Sequence, residues 1–70
     1  MHNRLTTRER ILEASLRLFN EKSYAATSLT DIAKEVGIAK GNLTYYFSTK
    51  KDLALELEQR ARAQALDRRS

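Results

Sequence analysis

Between positions 40 and 50 the chain gathers side chains that hydrogen-bond without reacting: Lys40, Asn42, Thr44, Tyr45, Tyr46 and Lys50, with Gly41 among them. Their chemistry is recognition. Lys40 can meet a phosphate or a guanine edge. Asn42 can form paired bonds to an adenine edge, and the Thr44 methyl can pack on a thymine methyl. The phenols of Tyr45 and Tyr46 suit phosphate oxygens, contacts that fix register without reading sequence. Gly41 removes a side chain and lets a backbone come close to its ligand. Lys50 can clamp flanking backbone, and free amides at Thr27 and Ser28, a helix start, can bind a phosphate on the other side.

Plainer readings stand beside these. On these, Lys40 and Lys50 are solvated surface charges, Tyr46 a core residue with its hydroxyl at the rim, and Thr27 and Ser28 helix caps only. Tyr24 is expected to be a structural plug behind the first helix. His2, the one histidine, sits at the terminus and is expected to be neither ligand nor base. With no cysteine and no paired carboxylates converging on a pocket, neither a catalytic centre nor a metal or cofactor site is expected. A chain this short hardly encloses a substrate.

The elements that must carry these residues follow from length and pattern. Seventy residues make one small domain. Without disulfides its stability must come from helix packing, and the absent cysteines fit a reducing, intracellular setting. No run approaches the roughly 20 apolar residues of a membrane span, and the start lacks the apolar segment of a signal peptide. The net charge of +4 suits a polyanionic partner but is equally an ordinary basic surface, so motif must decide.

Apolar residues recur at helical spacing, and the chain contains no proline, which implies an all-α domain. Thr6 and Glu9 form a capping box ahead of a stripe of Ile11, Leu12, Ser15, Leu18 and Phe19. Ser28 caps a second helix with Asp31 in its positive first turn, and Leu29, Ile32, Ala33 and Val36 face inward. Gly37 ends it through a left-handed backbone. A third short helix places Leu43 and Phe47 inward, and Thr49 with Asp52 caps a fourth carrying Leu53, Leu57 and Ala61 on one side. The expected helices lie near 7–22, 29–36, 40–46 and 50–66, with boundaries good to about two to four residues. Residues 5–60 are read as the domain, and 61–70 as an extension of the fourth helix toward a further domain.

Ser28 to Phe47 then has the parts of a helix-turn-helix. Ala33 is the small residue where the helices touch. Gly37 tolerates the turn. Ile32, Val36, Ile38 and Leu43 anchor both helices, so that the outer face of the second can enter a major groove.

Thr7-Arg8-Glu9-Arg10-Ile11-Leu12-Glu13-Ala14, Leu18-Phe19, Tyr24-Ala25-Ala26-Thr27-Ser28, Asp31-Ile32-Ala33, Val36-Gly37-Ile38, Lys40-Gly41-Asn42-Leu43 and Tyr46-Phe47-Ser48-Thr49-Lys50 resemble the TetR family of repressors. The resemblance spans about residues 5–60. It implies a three-helix, homeodomain-like bundle with the start of a fourth helix, and DNA-facing positions at Thr27, Lys40, Gly41, Asn42, Thr44, Tyr45, Tyr46 and Lys50. Ala39 matches a small residue at the entrance of the third helix. Two departures stand out. Thr44 occupies a position that is often Tyr, and Ser23 one that is commonly Gly, at a cost of up to about 1 kcal/mol if positive φ is kept there.

The resemblance further implies sequence-specific binding to a double-stranded, palindromic operator and repression by a homodimer. The small-molecule effector and the dimer contacts would belong to a larger C-terminal domain. A bacterial, cytoplasmic, nucleoid-associated protein is the expected setting. The alternative function is an interaction module that docks a protein partner with the same head.

Overall fold

The first helix, α1 (Thr7–Lys22), is started by a reciprocal cap: the Glu9 amide donates to Thr6 Oγ1 at 3.1 Å, and the Thr6 amide donates to Glu9 Oε1 at 3.2 Å. The computed structural model describes residues 5–69, with the side chains of residues 5–65; His2 and the side chain of Leu66 lie outside these. On α1 the buried face is Ile11, Leu12, Ala14, Ser15 and Leu18. Ser15 is tolerated there because its hydroxyl donates to the Ile11 carbonyl at 2.7 Å, satisfying a polar group that burial would otherwise penalise.

A second capping box starts α2 (Leu29–Val36). Ser28 Oγ accepts from the Asp31 amide, and Asp31 Oδ2 accepts from the Ser28 amide, both at 3.0 Å. Gly37, at φ 89°, ends the helix in the left-handed region, which lets the amides of both Gly37 and Ile38 reach the Ala33 carbonyl. Three residues later comes α3 (Lys40–Tyr46), and after Phe47–Thr49 comes α4 (Lys50–Arg69). The Asp52 amide donates to Thr49 Oγ1 at 3.1 Å, the expected cap.

The described residues form helices only, so the fold is all-α. Ile11, Leu12, Leu18, Ile32, Val36, Leu43, Phe47 and Leu53 make one core that takes residues from all four helices and the α3–α4 loop. Each fully buried Leu or Ile contributes about 1.5–3 kcal/mol of transfer free energy. No described helix is long and apolar enough to cross a membrane.

One expectation needs correction. Phe19 is only partly buried, packing against the core from its edge, with its ring centroid 5.2 Å from that of Tyr24. The fourth helix ends at Arg69, within the margin given for its boundary. Its Ala, Gln, Arg and Leu residues are good helix formers, and no Gly or Pro interrupts them.

Candidate nucleic-acid interface

Leu43 and Phe47 are 0 % and 4 % exposed, so they decide which way α3 faces. Helical spacing then turns Lys40, Gly41, Asn42 and Tyr45 outward, and all four are exposed. Thr44 is half-buried, its hydroxyl donating to the Gly41 carbonyl at 3.1 Å, which ties the donor to the helix. Tyr45 is 82 % exposed and meets Tyr46 edge to face, centroids 5.2 Å apart. Tyr46 is 37 % exposed, so it belongs to this surface more than to the core. Ala39, exposed and extended at φ −72°, starts α3 with no side-chain cap.

Gly41 has no structural reason to be glycine. A Cβ there would meet nothing within 4 Å, and its backbone is not in the left-handed region. A glycine inside a helix weakens it, so its place on the exposed face fits close approach to a ligand.

Three sequence expectations change. Thr27 is 1 % exposed, and its hydroxyl donates inward to the carbonyls of Ser23 at 2.8 Å and Leu18 at 3.4 Å; its amide donates to the Tyr24 carbonyl. It has no side chain to offer a ligand. The Ser28 amide is likewise taken, by Asp31 Oδ2, so neither expected amide is free for a phosphate. That carboxylate also places negative charge where a phosphate would have to sit. Hydrogen bonds from the Ser28 amide, the Lys22 ammonium and the Ser28 hydroxyl lower the Asp31 pKa from its ordinary 3.8 to about 2.

Lys50 is the third. Its Nζ donates to the carbonyls of Tyr24 at 2.7 Å and Thr27 at 3.0 Å, and lies 4.2 Å from the Tyr24 ring centroid. The ammonium is engaged by its own chain, so the expected clamp on flanking DNA is not what the geometry presents. Tyr24, expected as a plug, is 43 % exposed; it covers Phe19 with one face and supports Lys50.

Two positioning contacts escaped the sequence reading. Arg10 donates to the Val36 carbonyl at 2.8 Å and holds the end of α2 against α1. Arg8 sits 5.0 Å from the Phe47 ring centroid and pairs with Glu56 at 3.1 Å, tying α1 to the α3–α4 loop and α4. Both are arginines spaced along α1 with no local partner, and only the fold reveals what they meet.

The arrangement is a short helix presented by two others, with a polar, aromatic outer row beside a cation. Among the described residues no carboxylate pairs with Lys40. Such a surface binds polyanions.

Comparison with known proteins agrees. Residues 11–57 match the model of the bacterial regulatory proteins of the tetR family. The HTH-type transcriptional regulator AcrR of Shigella flexneri is 41 % identical over 51 residues, which is 73 % of this chain and 24 % of that protein. The negative transcriptional regulator IcaR of the biofilm operon icaADBC, from Staphylococcus aureus, is 44 % identical over 46 residues, 66 % of this chain and 25 % of its own length. A crystal structure of a TetR/AcrR-family regulator from Thermobifida fusca superposes with a TM-score of 0.83 at 39 % identity, over 87 % of this chain and 33 % of that one. The chain thus spans about a quarter of the length of these two curated relatives.

Proposed function

Because the chain belongs to the TetR family of bacterial regulatory proteins, we propose that it is the operator-binding head of a transcriptional repressor. The family consists of DNA-binding regulators, and no enzymatic reaction is derived for this one. The observation that carries the reading is the outer row of α3. Lys40, Gly41, Asn42 and Tyr45 stand exposed on a helix anchored from behind by Leu43 and Phe47. With α3 in a major groove, Asn42 and the Thr44 methyl meet base edges. Lys40 meets phosphate or guanine, and Tyr45 and Tyr46 meet phosphates.

Repression, as opposed to regulation in general, draws on the relative whose name describes a negative regulator. A palindromic operator follows from pairing two identical heads, each reading one half-site. The relatives are about four times as long as the region matched, so dimer contacts and an effector site are assigned to sequence outside residues 5–60. DNA as the proposed ligand supports a cytoplasmic setting at the chromosome.

The test is selection from a pool of random duplexes, with the chain fused to a neutral dimerisation domain. A recurring half-site is expected. Asn42→Ala should alter preference at one base pair by roughly 1–3 kcal/mol, the scale of a well-formed bidentate contact, and Thr44→Ala should alter it at another. If neither substitution moves the preference, α3 is not the reader and a protein-docking role takes precedence.

A further inference from the structure

Thr44 follows Gly41 by three residues, so the two are surface neighbours on α3. A Cβ at Gly41 would meet nothing within 4 Å, and the glycine therefore leaves a gap one turn before Thr44. Lys40, four residues before Thr44, and Tyr45, four after Gly41, stand exposed on either side of this pair. No carboxylate lies on α3 to repel a nucleic acid.

A threonine in that place offers a hydroxyl and a methyl. The hydroxyl donates to the Gly41 carbonyl at 3.1 Å. Turning it to a ligand would forfeit that bond, whereas presenting the methyl forfeits nothing. Neither branch can travel far. Threonine has a single torsion that moves heavy atoms, so both branches stay beside the Cβ that the helix fixes. Thymine is the base that shows an apolar group to the major groove, its C5-methyl.

We infer that Thr44 reads the C5-methyl group of a pyrimidine with its own methyl, the gap at Gly41 admitting the base edge. This rests on the reading of the α3 surface as the DNA-binding face and deepens it: the ligand of Thr44 is a methyl group, not a pattern of donors and acceptors. 5-Methylcytosine then stands in for thymine at that position. A half-site with cytosine there is bound more tightly once the cytosine is methylated at C5.

The full chain, joined to the same dimerisation domain, is titrated with half-sites from the selection in which single bases are replaced. Uracil in place of thymine removes the methyl and keeps every hydrogen-bonding group. At one thymine in the half-site it should weaken binding about fourfold, the scale of one buried methyl. At the same position 5-methylcytosine should be bound about fourfold more tightly than cytosine. Thr44→Ser keeps the hydroxyl alone and should bind the thymine and uracil duplexes alike. Thr44→Val keeps a methyl and should still distinguish them. Circular dichroism checks that both variants fold, and the base replacements with wild-type protein need no variant. The inference is overturned if no thymine methyl matters to the wild-type chain. Discrimination that survives in Thr44→Ser overturns it too, since another group then meets the methyl. Discrimination lost in folded Thr44→Val shows the hydroxyl to be the reader and has the same result. If Asn42→Ala still shifts the base preference in such a case, the DNA-binding face stands and the Thr44 assignment alone falls. A wild-type chain that binds no duplex overturns both.

Discussion

Ser23 is the one non-glycine residue at positive φ among the described residues, at φ 91° and ψ 157°. That region is nearly exclusive to glycine, and holding another residue there costs on the order of 1–3 kcal/mol. The surroundings compel it: the Ser23 amide closes α1 onto the Phe19 carbonyl at 2.9 Å, while its carbonyl accepts from Thr27 Oγ1. Ser23→Gly forfeits only an exposed contact from the Ala26 amide at 3.2 Å and gains backbone freedom when unfolded. The variant should be more stable by about 1 kcal/mol, raising the midpoint of a thermal melt followed by circular dichroism by about 4–8 °C. Asp31 offers a second test at this scale. Its pKa in the folded chain is about 2 against an ordinary 3.8, so the folded state favours the carboxylate. Its contribution to stability is complete above pH 3.8 and is lost as the pH falls toward 2. Asp31→Asn should flatten the stability profile in that window, as measured by urea melts across the acid range.

At the scale of elements, α3 sets stability against function. Its seven residues make it too short to be stable alone, so it is held by what it buries. Leu43→Ala should unfold the head, costing about 2–5 kcal/mol through the cavity left between α1, α2 and α4. Gly41→Ala should do the reverse. Nothing within 4 Å opposes the new methyl, and alanine improves an exposed helical position by up to about 1 kcal/mol. If the backbone at Gly41 approaches DNA closely, the same methyl should weaken operator binding. Higher stability together with lower affinity is the expected pair; higher stability at unchanged affinity would place the duplex elsewhere on the helix.

The whole molecule measures 39 × 33 × 21 Å, and among its described helices α3 is the one proposed to read DNA. A second major groove on the same face of a duplex lies about 34–36 Å away, so one head reaches one half-site. Exposed apolar side chains such as Leu16 on α1 and Leu55 on α4 are each only half-exposed, at 50 % and 48 %. A stable dimer buries at least about 1,000 Å² with good complementarity, more than such single residues supply. The 70-residue chain should therefore sediment as a monomer, or a weak dimer through α4, at micromolar concentration. A tight dimer would show that α4 builds an interface of its own.

The helices, their starts and their buried faces were legible in the sequence because they depend on neighbours within one or two turns. Thr6 with Glu9, Ser28 with Asp31 and Gly37 act locally, and the spacing of Leu43 and Phe47 determines which side of α3 remains outside. The exposed row of Lys40, Gly41, Asn42 and Tyr45 follows from that spacing alone. Tertiary structure decided what distant partners take. Thr27 turns its hydroxyl inward because carbonyls on α1 and the following loop are within reach. Arg10 meets Val36, and Lys50 meets Tyr24 and Thr27, across 23 to 26 residues of chain. A cation's type and position suggest a phosphate equally well in either case; only the placement of unpaired backbone carbonyls beside it shows that its donors are already taken.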